Sequence, residues 1–306
     1  MNFTVKNGYK ISELTLGTVQ LGLPYGVNNS KGMPSFEESS TILETALSNG
    51  IVSFDTARAY GESEAVLGKF FANNNAEKTI ITKALFTDVD KSAVKDTLFE
   101  MVCDSMRKIG IEKLPFLKLH NESMLIKYGD TIISALHDLK REGLVGGIGA
   151  SFSDKSRLLE LTDGCGFDCI QLPANIFDNE MIIDGTIKKL SDSGSIVFVR
   201  SIYLQGLFFK DTNDLPEKIK CAKEPLEKLR ALARDTGISM AELAVTFIRD
   251  TEGITSLLMG CDTPAQLIES VSLINSPKIQ DDVMKEALKI AEDIPPIVIR
   301  PWEWFK

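Results

Sequence analysis

FEESSTILETALSNGIVSFDTA, residues 36–57, carries two periodicities in succession. Its first part, 36–49, spaces apolar residues as one face of a helix, with Ser35 and Glu38 placed as a capping box and Gly50 as a stop. The run that follows, IVSFDTA (51–57), is short, apolar and of strand length. The same alternation spreads outward in both directions. Comparable strand-like runs are LTLGTV (14–19), TIITKAL (79–85), FLKLH (116–120), GGIGASF (146–152), CIQLPAN (169–175), IVFVRSI (196–202) and TSLLMG (255–260). Helical spacing recurs between them at 92–109, 131–142 and 241–250, and Thr263, Pro264 and Gln266 mark another helix start with a second capping box. Eight strands that are apolar on both faces and separated by helices predict a parallel sheet covered on both sides. The count favours closure into an α/β (β/α)8 TIM barrel, one domain over residues 1–306. No GxGxxG follows the first strand, which weakens a Rossmann alternative.

Composition sets the outer limits. The chain of 306 residues is 43% hydrophobic and 25% charged, as expected of a folded globular protein. A formal charge of −9 argues against nucleic acid or an anionic membrane as the main partner. The start, MNFTVKNGYKISEL, lacks the pattern of a secretory signal and no apolar run approaches a membrane span, so the cytoplasm is the default compartment. Five cysteines, Cys103, Cys165, Cys169, Cys221 and Cys261, form no CxxC pair and no zinc spacing; neither a disulfide framework nor a metal is expected.

Barrel chemistry gathers at the C-terminal ends of strands. Asp55, Lys83 and His120 end the second, third and fourth runs, and Tyr60 follows shortly after the second. Taken singly, Asp55 could cap a turn, Lys83 could neutralise it, His120 could be a satisfied core histidine and Tyr60 could pack in a loop. Together they form a proton-transfer set: a lysine beside a tyrosine lowers the phenol's pKa, a carboxylate orients the lysine, and a histidine positions a carbonyl oxygen. A proton donor with neither nucleophile nor metal suits hydride addition to a carbonyl, with the hydride supplied by a cofactor.

FDTARAYGESEAVLG (54–68), ITKA (81–84) and LKLH (117–120) resemble the signatures of the aldo-keto reductases, with Asp55, Tyr60, Lys83 and His120 in that family's order. The resemblance runs from about residue 14 to 275 and implies an NAD(P)H-dependent oxidoreductase that reduces an aldehyde or ketone. It implies further that Thr18 and Val19 lie near the nicotinamide ribose and that Ser151 and Gln171 bind the carboxamide. Arg200, Ser201, Leu204 and Gly206 would belong to a segment, 200–207, covering the nicotinamide and pyrophosphate. Gly260, Asp262, Thr263, Gln266 and Glu269 would hold the adenine end, at a helix N-terminus suited to phosphate. The chain departs from the family at Phe152, where asparagine is common, and at Arg200, where an aromatic residue is common. NADP is the cofactor the family implies, but Asp262 stands where a basic residue often binds the 2′-phosphate, which makes NAD an alternative.

Two other readings compete. Lys83 could form a Schiff base in an aldolase-like barrel, although Asp55 beside it opposes the required deprotonation. The chain could also be a cofactor-binding, redox-sensing regulatory subunit. The variant VRSIYLQGLF (199–208) resembles bacterial members linked to sugar metabolism, implying a polar, sugar-derived small-molecule carbonyl substrate. Residues 205–222 read as a long loop, and the aromatic tail from about 292 to 306 is expected to cover one mouth of the barrel. His137 reads as a solvated helix residue and Cys165 and Cys169 as packing residues; Arg58, Asn121 and Tyr203 are further candidates for substrate contact. Nothing in the sequence fixes an oligomeric state.

Overall fold

A computed structural model describes residues 1–25, 32–153 and 155–305. All eight expected runs become strands: β3 (Leu14–Gly17), β4 (Ser53–Asp55), β5 (Thr79–Ala84), β6 (Leu114–Leu119), β7 (Val145–Ser151), β8 (Cys169–Pro173), β9 (Ile196–Arg200) and β10 (Ser256–Gly260). Each pairs in parallel with its neighbour, and β10 pairs with β3 through Leu257 and Leu14, closing the barrel. The helices expected from periodicity form at Phe36–Ser48, Val94–Ile109, Asp130–Arg141 and Met240–Arg249. Ser35 and Glu38 make both bonds of the expected capping box. At the later helix, Pro264–Ile274, the box is half formed. Thr263 Oγ1 accepts from Gln266 N, but the Gln266 side chain takes the N–H of Asp262 instead of that of Thr263.

Two short strands precede the barrel, β1 (Phe3–Lys6) and β2 (Tyr9–Ser12), paired antiparallel around Asn7-Gly8. Both turn residues have positive φ, 53° and 84°, the conformation that Asn-Gly favours in two-residue hairpins. The hairpin brings Ile11 against Ile81, Phe116, Cys169, Ile196 and Phe198, an apolar plug inside the barrel. A chain of buried hydroxyls lies beside it: Ser53 Oγ is 2.7 Å from both Ser12 Oγ and Thr15 Oγ1, and Thr15 Oγ1 is 2.7 Å from Ser256 Oγ. With this end filled by apolar groups and satisfied hydroxyls, the barrel's buried charges collect toward the opposite, C-terminal end.

The stretch expected as a long loop holds two 3-10 segments, Leu204–Phe209 and Glu217–Ala222, before the helix Lys223–Asp235. Among the described residues no helix is long and apolar enough to cross a membrane.

Candidate active site

Asp55 closes β4 and is 1% exposed. Its Oδ1 accepts from Lys83 Nζ of β5. Its Oδ2 accepts from Lys118 Nζ of β6 at 2.6 Å. Strand alternation explains why β6 contributes Lys118: it lies two residues before His120, so both share the inward face while Leu117 and Leu119 pack outward. Lys118 is fully buried, spans from Asp55 to Gln171 Oε1 of β8 at 2.6 Å, and lies 4.9 Å from the Phe198 ring centroid. Sequence reasoning had passed over it, although a lysine on an otherwise apolar strand, in phase with a candidate histidine, was the available signal.

Tyr60 is held from both sides of its loop. A Cβ on Gly22 would fall 1.8 Å from the Tyr60 carbonyl oxygen, and one on Gly61, which has φ 53°, would fall 2.3 Å from the Gly22 carbonyl. Ser63 Oγ ties the loop to Thr18 and Thr56 through bonds of 2.7 and 2.9 Å. The phenol then meets Lys83 Nζ at 3.4 Å, and its ring stands edge-on to His120 with centroids 5.7 Å apart. Lys83 directs its three hydrogens to Asp55, to the Thr56 carbonyl at 2.9 Å and to Tyr60. An ammonium so engaged has no lone pair to offer a carbonyl, which counts against the Schiff-base alternative.

Burial opposes every charge here, and partners decide the outcome. For Asp55, burial alone would raise the pKa, but Lys118 and Lys83 together hold it below the ordinary carboxylate range. Burial lowers Lys83 despite Asp55, and lowers Lys118 to about 8, with the Lys83 charge adding to the shift. His120 falls to about 4 through burial and the Lys83 charge, so its imidazole is neutral at physiological pH. Its Nδ1 is buried without a hydrogen-bond partner among the described residues. Tyr60 corrects the expectation that Lys83 acidifies it: burial and the Asp55 charge push the phenol upward, because Lys83's charge is spent on Asp55. The cation that does draw Tyr60 downward is Arg200.

Arg200 ends β9, bonding the Phe152 carbonyl at 3.1 Å, Ser153 Oγ at 3.0 Å and Ser201 Oγ at 3.2 Å. No carboxylate within ion-pairing distance of it occurs among the described residues. Phe152 itself is fully buried in the outer apolar core, so its backbone alone reaches the mouth. A cavity of about 840 Å³ opens beyond Arg200, lined also by Glu122, Lys155, Gln205 and Trp302; Tyr60 and His120 are not on its wall.

The donor set at the mouth fits a dinucleotide. Lysine has donors only, so Gln171 must turn its oxygen to Lys118, and its amide nitrogen keeps no partner among the described residues. The Ser151 hydroxyl, one strand away at the register Ser151–Gln171, is likewise without a partner among them. Past β9, Ser201, Leu204 and Gln205 have positive φ, a strained backbone of the kind kept at ligand-binding loops, and Gly206 adopts the same region without strain. Burial, with a smaller contribution from the charge of Glu269, raises Tyr203. Thr18 is less free than expected: its hydroxyl is spent on the Asp55 carbonyl and Ser63. Val19 is half-buried just after β3, while Gly260, at the end of β10, packs against Gln20. Gln266 caps its own helix and Glu269 is exposed on it. Asp262 is exposed at the helix entrance, its carboxyl raised by partial burial.

Other candidates are engaged in contacts of their own. Arg58 pairs with Asp104 at 2.8 Å and bonds the Met101 carbonyl, both on the helix Val94–Ile109. Asn121 accepts from the Ser123 N–H in a local turn. His137 is half-buried and 2.8 Å from the Cys165 carbonyl, not solvated as expected, while Cys165 and Cys169 are buried and unbridged. No cluster of three or more metal-ligating side chains occurs among the described residues.

Residues 13–292 match the Aldo/keto reductase family. A NADH-specific methylglyoxal reductase of Escherichia coli (strain K12) is 27% identical, the alignment covering 77% of this chain and 82% of that one. The holo form of an aldo-keto reductase from Bacillus halodurans superposes with TM-score 0.75 at 21% identity, covering 93% of each chain. A glycerol dehydrogenase from Gluconobacter oxydans superposes with TM-score 0.73 at 20% identity, covering 94% of this chain and 93% of that one. These two likenesses are likenesses of fold.

Proposed function

Because the chain belongs to the aldo/keto reductase family, we propose that it reduces a small aldehyde or ketone to an alcohol with a nicotinamide cofactor, Tyr60 serving as general acid. The observation that carries this reading is the convergence of Asp55, Tyr60, Lys83 and His120 at one barrel mouth, with a phenol that stays protonated and an imidazole that stays neutral. The bound cofactor would supply a hydride to the carbonyl carbon. The protein's part is to receive the growing negative charge on the carbonyl oxygen. Tyr60 donates its proton there, neutral His120 orients the oxygen, and Arg200 is the cation that offsets the phenolate left behind, with Lys83 holding the phenol oxygen in place.

Ser151 and the Gln171 amide would hold the carboxamide, with Thr18 and Val19 beside the ribose. Arg200, Ser201, Leu204 and Gly206 would run along the nicotinamide and pyrophosphate, and Gly260, Asp262, Thr263, Gln266 and Glu269 would lie along the adenosine. Asp262 would repel a 2′-phosphate, and the relative named as NADH-specific supports the same preference, so NADH is favoured over the NADPH that the family resemblance implies. The tail would lie beside the cofactor segment: Arg300 and Trp302 line the cavity beyond Arg200, while Trp304 anchors the tail by donating to the Ile297 carbonyl at 3.0 Å. The substrate would be a small polar carbonyl, as the resemblance of 199–208 to members linked to sugar metabolism implies.

Replacing Tyr60 with phenylalanine tests the assignment. Turnover should fall roughly 10²- to 10⁴-fold, the usual contribution of a positioned acid, with cofactor affinity unchanged. Unimpaired turnover would remove Tyr60 from the mechanism.

A further inference from the structure

The tetrad and the Ser151–Gln171 pair lie on different strands, yet one side chain touches both. We propose that Lys118 is a positioning residue that couples the two halves of the site, gripping Asp55 with one hydrogen and fixing the Gln171 amide with another. The inference rests on the reading of Gln171 as a cofactor ligand.

The geometry is restrictive. The Lys118 ammonium is fully buried and 2.6 Å from both Asp55 Oδ2 and Gln171 Oε1. Facing it from the other elements are Lys83 of β5, Cys169 of β8 and the ring of Phe198 of β9, and only Asp55 among the described residues forms an ion pair with it. An amide can be flipped by half a turn at little cost when its surroundings are indifferent. A buried ammonium is not indifferent: with no acceptor of its own, it admits the oxygen and rejects the NH₂ group. Gln171 is thereby held as a donor toward the mouth, the role a carboxamide oxygen requires. Methionine at this position would keep much of the side chain's length and remove the preference. It would also leave Asp55 paired with Lys83 and free the interior of one unbalanced charge, so the fold should survive.

The test is a double-mutant cycle on the purified full chain, read by fluorescence titration with NADH and with NADPH and by separate kcat and KM values. In Lys118→Met the cofactor Kd and KM should rise about tenfold, the effect of one lost orienting hydrogen bond, while kcat at saturating cofactor changes far less. Gln171→Leu should weaken binding by a similar factor, and the double variant should be no worse than either single one, because both remove the same contact. If Lys118→Met does not fold, Lys118→Gln carries the same test, since it can offer either end to Gln171. Additive losses, or a Lys118 variant that binds cofactor as tightly as the wild type while Gln171→Leu does not, would overturn the role of Lys118 and leave the cofactor assignment standing. Gln171→Leu without effect, or a wild-type protein that binds neither nucleotide, would overturn the cofactor reading and this role with it.

Discussion

Asp55→Asn is the perturbation whose cost the structure defines most closely. The carboxylate is 1% exposed and each of its oxygens takes an ammonium, Lys83 on one side and Lys118, at 2.6 Å, on the other. Asparagine preserves the shape and removes the charge, leaving two cations buried side by side and turning one of their acceptors into a competing donor. Removing one partner of a buried pair costs about 3–5 kcal/mol. For a chain of this size that corresponds to a fall in Tm on the order of 10 °C. The sign of the pH dependence follows from the lysines. Their folded pKa values already lie below the ordinary value, Lys118 at about 8, and without Asp55 they fall further. The unfolded chain then binds more protons than the folded one, so the variant gains stability as pH rises. Thermal unfolding followed by circular dichroism at about pH 6 and pH 8 should show a deficit that is largest at the lower value and narrows at the higher. An unchanged Tm near pH 6, or a gap that widens toward alkaline pH, would refute the account of two cations balanced on one carboxylate.

Three other substitutions probe separate contacts. Gly22→Ala forces a methyl group to within 1.8 Å of the Tyr60 carbonyl, so kcat should fall about 10²-fold through displacement of the phenol, a scale that misplacement by about an ångström can reach, while cofactor affinity holds; normal kcat would contradict the clamp. Arg200→Met removes a cation that draws the Tyr60 pKa down, so the ratio of oxidised to reduced nucleotide affinity should rise roughly fivefold and kcat for reduction should drop; an unchanged ratio in equilibrium titrations would show that its charge does not reach the nicotinamide. Asp262→Ala should improve NADPH binding about tenfold with little effect on NADH, and equal effects on both would remove it as a specificity determinant.

His120 gives a prediction in pH alone. Its folded pKa of about 4 lies below the ordinary value, so its contribution to stability is complete above about pH 6.5 and is lost as pH falls toward 4. His120→Gln, which stays neutral, should flatten the acid limb of a Tm-against-pH curve over that window; an identical acid limb would show that His120 does not titrate there.

What the sequence disclosed followed from what kind of signal each feature leaves. The eight barrel strands are largely apolar on both faces and separated by helical periodicity, so each announces itself locally. Asp55, Tyr60, Lys83 and His120 were legible because strand ends of a barrel converge whatever their separation in sequence. The hairpin at Asn7-Gly8 carried a local turn signal too, but Phe3 and Val5 are exposed and gave no buried pattern around it. Lys118 needed knowledge of which face of β6 points inward, and its bridge from β4 to β8 is a three-dimensional fact. The balance at Tyr60 was likewise beyond the sequence: proximity to Lys83 could be inferred, but not that Asp55 would take up that charge and Arg200 act in its place. Gln266 shows the converse case, where a residue assigned to the cofactor is partly occupied in capping its own helix.

Hydride transfer is the central claim, and the absorbance of reduced nicotinamide reports it directly. The purified protein should be mixed with NADH or NADPH and a panel of short-chain aldehydes, ketones and aldoses, and cofactor loss compared with alcohol formed for the wild type and Tyr60→Phe. One-to-one stoichiometry with at least one carbonyl, lost in the phenylalanine variant, is the expected result. Tight cofactor binding with no carbonyl-dependent oxidation across the panel would contradict the account and favour a regulatory role for the bound nucleotide.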